Sequence, residues 1–169
     1  MIHLVHTLLL LIFPVLVIGA ALRDATSYTI PNWLSVALAG AFPFVALALG
    51  LPLGAMGVCF AVGAAALLAG VGMYALRWIG GGDAKLFAAA ALWLGLEPSL
   101  TYLAVIGLAG GGLAVGLLAL RSTYVRPFVP NGPAWFARLA EPGENVPYGV
   151  AIAIGALAAF PGSALVAHL

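Results

Sequence analysis

Among 169 residues only five are acidic, and two of these sit at the ends of apolar runs rather than in polar surroundings. Asp24 follows the first apolar run, and Asp83 precedes a later one, directly behind Gly80-Gly81-Gly82. Glu97 beside Pro98, and Glu141 and Glu144 in a polar stretch, read as ordinary solvated charges. Two carboxylates brought to one place can hydrolyse a peptide. Acids that share a site repel each other's charge, so one keeps its proton while the other is ionised. The ionised member takes a proton from a water, and the protonated one polarises the scissile carbonyl. Such a pair titrates as one coupled unit, so neither part is assigned to a particular aspartate. Each acid also has a structural reading. Asp24 could be a surface partner of Arg23, and Asp83 an N-cap favoured by the helix dipole.

The elements that must position these acids follow from composition. Apolar residues make up 64% and charged residues 7%, against about 45–50% and about 25% in soluble domains. Six basic and five acidic side chains cannot build a water-facing surface here, so the solvent for most of the chain is lipid. A net charge of +1 gives no electrostatic case for nucleic acid. The single cysteine, Cys59, excludes an internal disulfide and a CxxC metal site and reads as a core or lipid-facing residue. Crossing a bilayer core takes roughly 20 helical residues. The windows Leu4–Leu22, Trp33–Leu53, Met56–Leu76, Leu100–Leu120 and Tyr148–Ala167 fit that length. A sixth, Asp83–Leu96, is apolar but short. The expectation is one all-α integral-membrane domain over residues 1–169, a bundle of about six transmembrane helices whose short fourth helix is opened by the glycine turn. The first run lacks the basic flank of a signal peptide and reads as a retained helix.

With six crossings, Arg23, Arg77, Lys85, Arg121, Arg126 and Arg138 all fall on one side, which the positive-inside tendency makes cytoplasmic. Both termini then lie outside, with His3, His6 and His168 scattered there and no metal site or cofactor indicated. The cytoplasmic loop 121–147 carries Pro127, Pro130 and Pro133, which forbid a long helix. Within it, residues 134–139 could lie along the headgroups with Trp135 as anchor. Gly112 and Gly116 form a small-xxx-small packing pattern. Three glycines before Asp83 predict an uncovered, flexible backbone that a substrate strand could approach closely.

Asp24-Ala25-Thr26-Ser27-Tyr28-Thr29-Ile30-Pro31-Asn32 resembles the first aspartate motif of the type IV prepilin peptidases. Gly80-Gly81-Gly82-Asp83-Ala84-Lys85 is similar to their GxGD-type motif, and Val146-Pro147-Tyr148-Gly149 to the stretch opening their last helix. The resemblance implies a bacterial inner-membrane aspartic protease that removes the short basic leader of prepilins and pseudopilins at the cytoplasmic face. It makes Asp24 and Asp83 the catalytic pair and implies contact with pilus-assembly machinery. Larger relatives carry a cysteine-rich insertion and a methyltransferase activity. Its absence here resembles the short, peptidase-only CpaA/TadV type that serves Flp-like pilins. The archaeal preflagellin peptidases are also similar.

Among the neighbours, Lys85 could bias the pair toward one charge state or bind a membrane lipid headgroup. Ile30 belongs to the first motif, Pro31 and Asn32 shape the entry to the second helix with Asn32 as a cap, and Pro147, Tyr148 and Gly149 could line the cleft. Tyr148 could equally belong to an aromatic belt. Two other classes use the same acids: a proton- or ion-coupled small transporter, and a non-catalytic subunit of a pilus or secretion machine. The first prefers charges near mid-bilayer and does not account for the Ile-Pro-Asn and glycine contexts; in the second both carboxylates could be replaced without effect.

Overall fold

The computed structural model describes residues 2–125, 133–141 and 143–167; Arg126, Pro127, Pro130 and His168 lie outside them. The described residues are helical with no strand. In chain order the helices are α1 (Ile2–Leu10), α2 (Ile12–Ser27), α3 (Asn32–Ala48), α4 (Leu53–Ala75) and α5 (Gly81–Leu94). They continue with α6 (Ser99–Leu120), α7 (Ala134–Leu139), α8 (Tyr148–Ala159) and α9 (Ala164–Ala167), the last two joined by a 3₁₀ turn at Phe160–Gly162. Four stretches are long and apolar enough to cross a membrane: His3–Ser27, Leu53–Ala75, Ser99–Leu120 and Tyr148–Ala167. Helix α3, with 17 residues, and α5, with 14, are shorter.

Two boundaries differ from the sequence windows, each for a local reason. The first span continues to Ser27, so Asp24 lies inside α2 rather than closing it. Helix α3 stops at Ala48 because Gly50, at φ 74°, takes a left-handed turn. There Leu51 N–H bonds the Ala46 carbonyl and Gly50 N–H the Leu47 carbonyl, the 6→1 and 5→2 closure of a Schellman motif, and Pro52 follows.

Helix α5 is the centre of the bundle. Every residue from Leu86 to Gly95 is buried, the pattern of a helix apolar all round. It packs on α4, α3 and α8, and two polar contacts pin its middle and its far end. The buried Trp93 indole donates to the Leu38 carbonyl at 2.7 Å, and the Tyr102 hydroxyl to the Phe87 carbonyl at 3.2 Å. Trp93 also meets Phe13 and Phe42 in an aromatic cluster. On α1 and α2 the apolar residues divide by helical period. Leu4, Leu8, Leu11, Val15, Ile18 and Leu22 face outward, where only lipid can solvate them, while Phe13, Val17, Ala20 and Asp24 face inward.

Close helix approach depends on glycines other than the pair singled out by the small-xxx-small pattern. No described residue packs within 4 Å of a side-chain position at Gly112 or Gly116. At Gly63, by contrast, a Cβ would stand 2.9 Å from the Leu92 Cβ, so α4 lies on α5 only because that side chain is missing. Gly155 likewise lets α8 seat against Tyr102 and Ile106 of α6. Gly63→Ala is therefore expected to lower the thermal midpoint of the detergent-solubilised protein, by about 1–3 kcal/mol of overpacking. Gly57→Ala, on an open face of the same helix, is expected to leave it unchanged or slightly raised. Equal midpoints for the two variants would refute this account of the α4–α5 contact.

Candidate active site

Three segments distant in sequence converge at one end of the bundle. The first runs from the end of α2 to the start of α3. Asp24, on the inward face, is buried with 5% of its surface exposed. Tyr28 ends the helix in the left-handed region at φ 52°, unusual for a residue with a side chain. That turn directs Ile30 inward and leaves Pro31, with its fixed φ, to launch α3. Asn32 is not a cap: α3 starts without any side-chain cap, and the Asn32 Oδ1 instead accepts from the Lys85 ammonium at 2.8 Å.

The second segment is the glycine run. Its backbone is not an uncovered hinge, because Gly81 and Gly82 form the first turn of α5. Each glycine makes room for something. A Cβ on Gly82 would lie 3.1 Å from that of Ile30, and one on Gly80 would lie 3.0 Å from the Asp83 Oδ2. Gly81 faces the Tyr74 ring. Asp83 is the third residue of α5, and its Oδ2 accepts from the Gly80 N–H at 3.2 Å. This is half of a capping box, since glycine has no side chain to return the bond. Asp83 is therefore not the N-cap, which is Gly80; it braces the helix start from the third position while lining the site.

The third segment opens α8. Its Gly149 N–H donates to the Asp24 Oδ2 at 2.7 Å. A Cβ at Gly149 would stand 2.8 Å from both the Asp24 Oδ2 and the Ile30 Cδ1, so only glycine fits. Each aspartate therefore has one oxygen tied to a backbone amide. Among the described residues neither Oδ1 accepts a hydrogen bond, and neither carboxylate has an ion-pair partner, Arg23 included.

Both aspartates line a cavity of about 600 Å³, together with Tyr28, Tyr74, Arg77 and Tyr148. They also share a smaller adjoining cavity walled by Ile30 and the three glycines. Tyr148 thus belongs to the cleft. Pro147 N-caps α8 and fixes the entry of the chain. Arg77 stands at φ 61° in the position after α4 that glycine usually takes, which sets it on the cavity wall at a cost of about 1–2 kcal/mol.

Two contributors to this region are not evident from the sequence. Arg121, at the end of α6, donates from Nε to the Leu139 carbonyl at 2.9 Å, from one terminal nitrogen to Glu144 at 2.8 Å and from the other to Asn145 at 3.0 Å. One guanidinium thereby clamps the segment that delivers Gly149. Tyr28 is the other. Its ring lies beneath the Arg138 guanidinium, 5.6 Å away, and burial pushes its phenol above the ordinary tyrosine range, so it stays neutral. No motif spacing signals either role.

The sequence model of the type IV leader peptidase family matches residues 11–115, which include the first two segments of the site. The chain belongs to the type IV leader peptidase family. Membership makes it a peptidase whose substrate class is the prepilins. The Val146–Gly149 segment lies beyond the matched residues, so its place at the site rests on geometry alone. No curated protein and no solved structure matches significantly.

In this leader peptidase, Arg121→Ala is expected to release the clamp. Hydrogen exchange should show the amides of residues 143–149 exchanging at least tenfold faster, as the loss of charge-assisted bonds of about 1.5–3 kcal/mol each requires. Amides of α5 should be unaffected. Unchanged protection at 143–149 would exclude the clamp.

Proposed function

We propose that this chain is a membrane aspartic endopeptidase that removes the basic leader of Flp-like prepilins and pseudopilins, with Asp24 and Asp83 as its catalytic pair. One observation carries the reading. Two acids 59 positions apart line the same cavity, each with one oxygen held by a backbone amide.

The chemistry follows from what each carboxylate has left to offer. Backbone amides hold one oxygen of each and so fix the orientation of both groups. The remaining oxygens are free to hold a water and face a peptide carbonyl. One carboxylate, ionised, removes a proton from the water as it attacks. The other, protonated, donates to the carbonyl oxygen and afterwards the leaving amine receives a proton from the pair. Backbone donors fixed on each acid need no reorganisation during the reaction, the condition under which electrostatic stabilisation is most effective.

Topology is part of the proposal. Six crossings are read from the four long spans together with α3 and α5, the last reaching only about 21 Å. The described cations collect around the site: Arg23 beside Asp24, Lys85 on Asn32, Arg77 on the cavity wall, Arg138 over Tyr28, and Arg121 behind Asn145. That clustering supports a cytoplasmic site in a bacterial inner membrane, by the positive-inside tendency. A prepilin joins a basic leader to an apolar helix, so its scissile bond falls at this depth.

The test is leader cleavage, with a Flp-type prepilin co-expressed beside wild type, Asp24→Asn and Asp83→Asn, and processing read as a band shift. Each variant should insert stably and lose at least about 10³-fold in rate, with the double variant no worse than either single one, as for residues that act as a unit. Full processing by either single variant would overturn the catalytic assignment.

A further inference from the structure

A second cavity lies outside the proposed active site and opens sideways from the bundle. It is a groove of about 330 Å³ between α3 and α4, floored by α5. Lys85, Ala88, Ala89 and Leu92 of the floor follow one another at helical spacing, and the two alanines make it deep. At its far end Phe60 meets Phe42 edge to face, with ring centroids 5.5 Å apart, which closes the groove.

The order of chemistry along the groove is not that of a plain apolar seam. At its mouth stands the Lys85 ammonium, which spends one donor on Asn32 and has no ion-pair partner among the described residues. Ser35 follows three residues after Asn32 on α3, about 4.5 Å deeper. Its side chain is buried at the groove wall, and its hydroxyl has no hydrogen-bond partner among the described residues. Beyond it everything is apolar. A cation outermost, a hydroxyl next and hydrocarbon below match a phosphate, a glycerol ester and an acyl chain in the same order.

Size separates this occupant from a substrate helix. From Lys85 to Leu92 the floor runs about 10 Å, about a third of the length over which a membrane-spanning helix would lie. An extended hydrocarbon chain fits. We propose that this groove binds one anionic phospholipid of the surrounding bilayer, with Lys85 on the phosphate and one acyl chain along Ala88, Ala89 and Leu92. The inference rests on the membrane reading of the fold but not on the peptidase assignment. Lys85 is two residues from Asp83, so the lipid would settle the first turn of α5 through the Lys85–Asn32 contact.

Native mass spectrometry tests it directly. The purified full chain would be equilibrated in micelles with equal amounts of phosphatidylglycerol and phosphatidylcholine of identical acyl chains. Wild type should retain one phosphatidylglycerol about fivefold over phosphatidylcholine, the size expected for one lysine at an anionic surface. Lys85→Gln should bring the ratio to about one, and Lys85→Arg should preserve it. Leu67→Trp, a substitution at a half-exposed groove wall, should remove the retained lipid by filling its place. An undiminished preference in Lys85→Gln or in Leu67→Trp would overturn the proposal. So would displacement of the retained lipid by a single-span apolar peptide, which would make the groove a helix dock. Lipid retention is read without any cleavage, so its failure is distinguishable from failure of the peptidase reading.

Discussion

The hydrogen bond from the Gly149 amide to the Asp24 carboxylate, 2.7 Å long and joining residues 125 apart, is the contact on which the site depends. A carboxylate 5% exposed beside apolar helices needs a donor, because burying a charge without one is prohibitive. A backbone amide meets the need only if α8 begins there and position 149 carries no side chain. Both conditions are set elsewhere. Pro147 and the Arg121 clamp determine where α8 begins, and the packing of Ile30 on Gly82 determines where the Asp24 turn lies. The three segments thus form one constraint rather than three adjacent features.

Glycine is the means by which that constraint is met. At Gly82, Gly149, Gly63 and Gly155 the neighbouring element occupies the volume a methyl group would need. Lipid offers no hydrophobic force to press apolar helices together, so their association rests on close packing and a few polar contacts. The glycines serve the first and Trp93, Tyr102 and Lys85 the second. A run of three glycines that suggests mobility when read alone is here fitted against Asp83, Tyr74 and Ile30.

Much of this was legible in the sequence. Helix content, the short apolar element, and the isolation of Asp24 and Asp83 from other charge follow from composition and spacing, and the three motifs from a family resemblance. Even the inward aim of Asp24 can be read from its register with Phe13, Val17 and Ala20. What was not legible depends on contacts between distant segments. Asn32 has the chemistry of a cap, but Lys85, 53 positions away, takes its oxygen. Arg121 counts in the sequence only as a charge, and its clamp appears once α7 and the start of α8 are placed. The Gly112–Gly116 pattern misled for the converse reason: spacing shows that a face is smooth, not that another helix lies on it.

The depth of α5 has a consequence for how the chain enters the membrane. Fourteen residues reach about 21 Å, short of a hydrocarbon core of about 30 Å, so alone in lipid its terminal amides and carbonyls would go unsatisfied. It is a poor candidate for release from the insertion machinery as an independent span. Its natural companion is α4, laid against it through Gly63 and Gly70, so that the two enter as a hairpin. Helix α8, which also packs on α5, is made after both. A nascent chain still lacking α8 therefore holds both aspartates without the Gly149 amide that fixes Asp24.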